Sequence, residues 1–391
     1  MPAPINPLLA RAAASPIMEA QGWLADAPPP PERPLINLSQ AAPALPPPLE
    51  IRQHLAEAML SDESAHFYND VLGRADLRAQ IAADWSTLYG GAIGSDDVAV
   101  TAGCNQAFCV AVASACQPGD QVLLPTPWYF NHKMWLDMAG IEAEPLPMGP
   151  GMLPDPDEAR ALIGPRTKAL ALVTPNNPTG AEYPADLMDA FFDLAQDRGL
   201  LLIIDETYRD FHSSPGAPHR LFQREGWREV VAHLYSFSKV YRITGHRTGA
   251  LIAGPERIAQ AEKFLDTVTI CPAQPGQLAA LHGLRTLRAW VEEQRAEFAA
   301  RRAVLTRLFA EHLGDWTLHG AGAYFAWATP PTDTPSADIA RRLVAEQSLL
   351  VLPGAMFLPE DRQTSALRIA FANTDAAGIE EVVGRLGRFH P

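Results

Sequence analysis

The sequence is poor in cysteine, poor in basic residues and free of long apolar runs, and each shortage narrows what the chain can be. Four thiols, Cys104, Cys109, Cys116 and Cys271, are spread over 391 residues with no C-x-x-C pair and no histidine cluster at zinc spacing. A disulfide scaffold and a zinc site are therefore not expected, and a reducing cytoplasm is the expected compartment. Basic residues number 31 against 45 acidic ones, a net charge of −14. That balance argues against nucleic acid or an anionic membrane as partner, since both need a basic surface, yet a locally basic pocket for a small anion remains open. No apolar stretch is long enough for a bilayer. Met1 to Asn6 has neither a basic start nor an apolar core of signal type, so no secretion signal is expected.

What is present fits a globular enzyme: 47% hydrophobic and 19% charged residues over a length that suggests two domains. Residues 1–48 hold two short helical patterns, Leu8–Ala13 and Ile17–Leu24, and the proline runs Pro28–Pro31 and Pro46–Pro48. Ile17, Met18, Trp23, Leu24, Leu35, Ile36 and Leu38 make this segment too apolar for a solvated tail, and we expect an arm packed on something, a second subunit being one candidate. Helical spacing follows at Leu49–Met59 and Ala75–Tyr89, the latter stopped by Gly90-Gly91. From Asp97 apolar runs alternate with helical stretches: Val98–Thr101, Gln121–Leu124, Ala169–Val173, Leu200–Ile204, Val230–Leu234 and Ala250–Ala253. Uninterrupted apolar strands between helices predict a largely parallel sheet covered on both faces, with ligands at the carboxyl ends of its strands. Residues 281–313 read as one long helix, and the remainder as short strands and helices of a smaller α+β domain.

The chemistry gathers around Tyr235-Ser-Phe-Ser-Lys-Val-Tyr-Arg-Ile-Thr-Gly-His-Arg-Thr-Gly249. Lys239 stands between two apolar runs, preceded by Ser236 and Ser238 and followed by Arg247. An enclosed amine loses its charge easily and becomes a nucleophile toward carbonyls, and hydroxyls beside an arginine suit a phosphate. The pair suggests a Schiff-base lysine beside a phosphorylated aldehyde, pyridoxal phosphate; a surface Lys/Arg loop reads equally well from this stretch alone. Three further loops each follow an apolar run. Gly103-Cys104-Asn105 opens a helix and offers amides to a phosphate. Asn176-Asn177-Pro178-Thr179-Gly180 offers amide side chains or simply a turn. Asp205-Glu206-Thr207-Tyr208 puts an acid after five apolar residues, where a cation is needed to balance it, or where it caps the next segment.

Taken in order, Gly103-Cys104-Asn105, Asn177, Asp205, Tyr208, Lys239 and Arg247 resemble the class I/II aminotransferases, fold type I pyridoxal-phosphate enzymes, over about Ile36 to Phe371. The resemblance implies an α/β fold: a large domain, residues 49–285, with a mostly parallel seven-stranded sheet between helices, and a smaller α+β domain built from the arm, 1–48, and the C-terminal part, 286–391. It implies a pyridoxal 5'-phosphate cofactor joined to Lys239 as a Schiff base. Asp205 would pair with the ring nitrogen, and Asn177 and Tyr208 would hold the ring oxygen. Gly103, Cys104, Asn105, Ser236, Ser238 and Arg247 would seat the phosphate. Tyr129 would stack on the ring, with Trp128 as a close rival, and Arg368 would take the substrate carboxylate. Tyr68 would reach the phosphate of a second subunit, implying a homodimer with shared sites.

One departure stands near the substrate. Ala41 occupies the place where the family usually has glycine, and it bears on substrate identity. The implied reaction moves an amino group from an L-amino acid to a 2-oxo acid, with Lys239 as proton carrier. With no second arginine at a matching position, and with Ile17, Trp23, Trp128 and Tyr129 expected around the side-chain pocket, a monocarboxylic apolar or aromatic substrate is predicted. Two other readings are open: a lyase or synthase of the same fold, such as a carbon–sulfur β-lyase or an aminocyclopropane carboxylate synthase, and a non-catalytic regulatory module, which the absence of a helix-turn-helix extension disfavours.

Overall fold

The computed structural model describes residues 3–391. In chain order its strands are β1 (Ile36–Asn37), β2 (Val98–Thr101), β3 (Gln121–Thr126), β4 (Glu142–Pro147), β5 (Thr167–Val173), β6 (Leu201–Asp205), β7 (Val231–Ser236), β8 (Gly249–Ile252), β9 (Thr317–Gly322), β10 (Phe325–Thr329), β11 (Leu349–Leu350), β12 (Leu352–Pro353) and β13 (Leu367–Ile369). Seven of them form one sheet in the order β2-β8-β7-β6-β5-β3-β4. Strands β7, β6, β5, β3 and β4 run parallel, while β8 lies antiparallel to both β2 and β7. Their apolar runs are buried on both faces: Ile204 and Leu202 pack into one core cluster with Trp85 and Phe191, and Leu201 and Ile203 into another with Phe108 and Leu136. This is why the strands read as continuous rather than alternating hydrophobic patterns.

Helix boundaries follow local chemistry where the sequence carries it. Helix Ala75–Tyr89 ends at Gly90, in the left-handed conformation at φ +70°, and helix Ala185–Arg198 has the expected bounds. The single helix expected over 281–313 is instead two, Gln274–Thr286 and Arg288–His312, parted at Leu287. Leu284, Leu287, Trp290 and Val291 keep helical spacing across the break and pack on the same core, so periodicity hides it. Strand β4 was not expected. It is an edge strand of alternating polarity carrying Pro145 and Pro147, which an edge tolerates. Likewise β9 was not foreseen: it forms a hairpin with β10, so the strand expected from Ala323 begins only after that turn. The run Leu349–Leu352 divides between β11 and β12, which belong to different sheets.

The arm packs on its own chain. β1 pairs in parallel with β11, and Ala20, Trp23 and Leu38 join a core cluster otherwise made largely of residues from the C-terminal part, among them Leu343, Leu352 and Phe371. β12, β13, β10 and β9 form the second sheet. No helix among the described residues is long and apolar enough to cross a membrane.

Candidate active site

The parallel strands deliver their carboxyl ends to one place: Thr126, Val173, Asp205 and Ser236 are last residues of β3, β5, β6 and β7. A cavity of about 620 Å³ opens there. It brings together Ala41, Cys104, Asn105, Tyr129, Asn177, Asp205, Tyr208, Ser236, Ser238, Lys239, Arg247 and Arg368, residues scattered over more than 300 positions. Gly103 adjoins it through Arg247. Two expected residues are not at the cavity, and Tyr68, expected to serve a second subunit, is 79% exposed elsewhere on the surface of this chain. Trp23 is buried in the C-terminal core, with the Arg341 guanidinium 5.2 Å from its ring. Trp128 turns into the core among Phe108 and Leu136, so of the two neighbouring aromatics Tyr129 is the one that faces the cavity.

Lys239 lies in the short helical turn Phe237–Val240 that joins β7 to the loop before β8. Its Nζ donates to the Ala41 carbonyl. Burial, then the nearby charges of Arg247 and Arg368, bring its pKa down to about 8, so a minority of the amine is already neutral near physiological pH, far more than for an ordinary lysine.

One end of the cavity is an anion seat. Gly103 precedes helix Cys104–Ala113 at φ +85°, and a Cβ there would sit 2.2 Å from Arg247 Nη2. Only glycine leaves room for that guanidinium beside the helix start. Arg247 is held by the Thr244 carbonyl at 3.1 Å and by Ser238 Oγ at 3.4 Å. The first amides of the helix have no intrahelical acceptor and join this positive end. Gly249 in β8 allows the same loop to approach, since a Cβ there would lie 2.8 Å from the Cys104 amide nitrogen. Cys104 is buried, and burial pushes its thiol well above its ordinary pKa, so it serves as a neutral wall.

The middle of the cavity carries the acid. Asp205 is 4% exposed; its Oδ1 accepts the Thr207 amide at 3.0 Å and its Oδ2 lies 3.2 Å from His132 Nε2. Burial works to raise its pKa, but His132 and Thr207 outweigh burial and hold the carboxyl below the usual range. His132 is itself stacked flat on Phe108, ring centroids 3.7 Å apart. Tyr129 stands edge-on to His132, accepts Asn131 Nδ2 at 2.9 Å, and has its pKa pushed up to about 12, chiefly by burial. Burial likewise pushes the Tyr208 hydroxyl well up, so it is a donor at neutral pH.

At the far end Arg368 is 2% exposed and packs on Phe325 and Phe357, 5.1 and 5.0 Å from the ring centres. Its Nη1 donates to Asn177 Oδ1 at 3.1 Å and its Nη2 to the Ser39 carbonyl, while Nε has no partner. Burial lowers its pKa to about 10. A desolvated guanidinium with a free donor is built to receive an anion.

Sequence reasoning missed His132, Thr207, Asn131, Gln40 and the face of helix Pro16–Asp26 that lends Met18 and Gln21 to the cavity. His132 stands three residues after Tyr129, in the first turn of helix Phe130–Ala139, and nothing in its spacing marks it.

Similar proteins share this arrangement of chain. An aromatic-amino-acid aminotransferase of Thermococcus litoralis is 27% identical over 361 residues, covering 90% of each chain. An aspartate aminotransferase of Pyrococcus horikoshii is 26% identical over 83% of each. A solved single mutant of the aspartate aminotransferase of Thermus thermophilus superposes with a TM-score of 0.89 at 24% identity, covering 99% of both chains, a likeness of fold. The family model for aminotransferases of class I and II matches residues 33–386, and with the lysine, acid and two arginines meeting in one cavity, the chain belongs to that family and is a pyridoxal-phosphate-dependent transaminase.

Proposed function

We propose that the enzyme moves an amino group between an L-amino acid with a single carboxylate and an apolar or aromatic side chain and a 2-oxo acid. The observation that carries this is the cation count of the cavity: among the described residues of the single chain, Arg368 is the one cationic lining residue beyond Lys239 and the phosphate-end Arg247. A second carboxylate on the substrate would enter with no cation to meet it, at the cost of burying a bare charge. Ile17, Met18, Tyr129 and Phe130 line the cavity, with Gln21, Gln40 and Asn131 as neutral polar neighbours. The aromatic-amino-acid aminotransferase suits this reading, and the aspartate aminotransferase sets the alternative against which to test it. A kcat/KM panel of phenylalanine, leucine, methionine, alanine, aspartate and glutamate decides. A lead of about a hundredfold for either dicarboxylate would overturn the pocket reading and leave the transaminase reading intact.

The residues fit the cofactor. The glycine-lined seat at Gly103, with Arg247, Ser236, Ser238, Cys104 and Asn105, suits its phosphate, and the low-pKa amine of Lys239 suits its aldehyde. When bound, the cofactor supplies an electron-withdrawing ring that makes the Cα–H bond of the amino acid acidic. Asp205, kept ionised by His132, would hold a proton on the ring nitrogen. Asn177 and Tyr208 would orient the ring through its oxygen, and Tyr129 would cover its face. Arg368 would fix the substrate carboxylate and so set which bond at Cα faces the base. Lys239 would take the proton from Cα and return it on the far side of the amino nitrogen.

A homodimer with shared sites is part of the proposal. Tyr68 and its neighbour Phe67 are exposed large side chains with no role in the single chain, as is Leu60, 90% exposed at the end of helix Leu49–Ser61. Sedimentation is expected to give twice the mass of the chain, and a fully active monomer would contradict it. Four unpaired cysteines support a cytoplasmic setting. The domain division at about residues 48 and 285 is supported by the pairing of β1 with β11 and by the shared core of the arm and the C-terminal part.

A further inference from the structure

A second group of ionisable side chains lies behind the cavity. At the end of β6 the chain divides its side chains: Asp205, Thr207 and Tyr208 line the cavity, whereas Glu206 and Arg209 are buried away from it. Glu206 is 0% exposed. Its Oε2 accepts from the Tyr89 hydroxyl and lies 2.7 Å from His233 Nε2, and its Oε1 lies 3.3 Å from His219 Nε2. Glu206, His219 and His233 present ligand atoms within 4.8 Å of one another, the composition of a metal triad. His219 argues against that use. Its Nδ1 accepts the Leu221 amide at 3.3 Å, so the neutral ring carries its proton on Nε2, facing Glu206. A metal would need that nitrogen bare and the other one donating. The group is instead a buried carboxylate hydrogen-bonded by Tyr89 and His233, with the His219 ring nitrogen facing its other oxygen. Arg209 is buried in the same region, its guanidinium 4.0 and 4.5 Å from the rings of Trp85 and Tyr235 and paired with Asp210 at 3.2 Å.

We propose that Glu206 is a positioning residue for the reaction: anchored by Tyr89 and His233, with His219 facing it, it fixes which way Asp205 faces. The inference rests on the cavity role given to Asp205. β6 ends at Asp205, and beyond it the backbone is held by a few bonds only, Glu206 N to the Leu234 carbonyl at 2.9 Å and Arg209 N to the Glu206 carbonyl at 3.1 Å. Asp205 ends the strand and Glu206 N continues its ladder, so these two neighbouring side chains point to opposite faces, and a twist that swings Asp205 out of the cavity must drag Glu206 out of its donors. A buried carboxylate that loses its donors is costly, and this locks the twist.

Glu206→Gln tests it without emptying the space. The amide oxygen can accept from His219, and the amide nitrogen can face His233 once that ring moves its proton to Nδ1, an atom with no partner in the wild type. Fold is kept and the charge is lost. The pH midpoint of the bound cofactor's visible absorbance is expected to rise by about one unit and kcat to fall about tenfold, with KM for the amino donor little changed. The rise follows because a ring nitrogen poorly paired with Asp205 loses its proton and draws less on the nitrogen of Lys239. Tyr89→Phe, which removes one donor, is expected to shift the midpoint the same way by less. If both variants only lower the melting temperature and leave midpoint and kcat at wild-type values, Glu206 is structural and the proposal is wrong. Asp205→Asn run beside them separates the two readings. An unchanged midpoint in Asp205→Asn overturns the role of Asp205 itself, whereas a shift there with none in Glu206→Gln overturns only the positioning role.

Discussion

The two ends of the cavity use the same residue type in opposite ways. Arg247 is exposed, leans on a backbone carbonyl and a serine hydroxyl, and sits where glycine at 103 makes room for it. Arg368 is almost fully buried between aromatic rings, and burial has lowered its pKa. A guanidinium in partial contact with water is cheap to keep charged and suits a ligand that stays. A desolvated one is held at a cost that an arriving carboxylate offsets, and this ties its contribution to substrate binding. Lys239 lies within the field of both, and both hold its pKa down.

The sharpest break of this comparison removes the residue between the two ends. Lys239→Ala is expected to abolish turnover and the visible absorbance of the bound cofactor together, and a variant that keeps both would remove the basis of the whole assignment. Asp205→Asn comes next: the fold holds, and loss of the charge partner costs about 2–5 kcal/mol, roughly thirty- to several-thousand-fold in kcat. Arg368→Leu then tests the substrate end alone. It should lower kcat/KM by about a hundred- to a thousandfold while the cofactor absorbance and cofactor affinity stay at wild type. Arg247→Ala should do the converse, weakening cofactor binding in equilibrium dialysis by about ten- to a hundredfold. If the two variants had the same phenotype, the division of labour between the ends would be wrong.

The smallest effect concerns pH. The neutral amine of Lys239 is the reactive form, and its fraction grows as pH rises through about 8 in the cofactor-free enzyme. The rate of covalent cofactor uptake, followed by stopped-flow absorbance, should rise through that pH and then level off. Removing either arginine takes away a positive neighbour that opposes protonation, so the midpoint should move upward, more for Arg247 than for Arg368.

Local signals were legible wherever one residue type at one place settled the matter. Continuous apolar strands announced a sheet covered on both sides, Gly90 marked a helix end, and loops directly after apolar runs marked the carboxyl edge where Asp205, Asn177 and the Lys239 turn meet. What stayed hidden depended on partners far away in sequence. The break at Leu287 lies inside an unbroken helical periodicity, and β4 and β9 are too polar or too glycine-rich to read as strands until β3 and β10 pair with them. The choice of Tyr129 over Trp128 is a matter of which side chain a turn leaves facing the cavity.

By itself the sequence determined the kind of fold and the reactive set, because strand and helix periods and a few side-chain chemistries are written residue by residue. Only the tertiary structure decided that Trp23 goes to the C-terminal core while Met18 and Gln21 reach the cavity, that His132 stands against the Asp205 carboxylate, and that Glu206 lies among Tyr89, His219 and His233. Those are contacts between segments tens to hundreds of residues apart, fixed by the packing of sheets and helices, and no local pattern in the chain encodes which of many buried partners will meet.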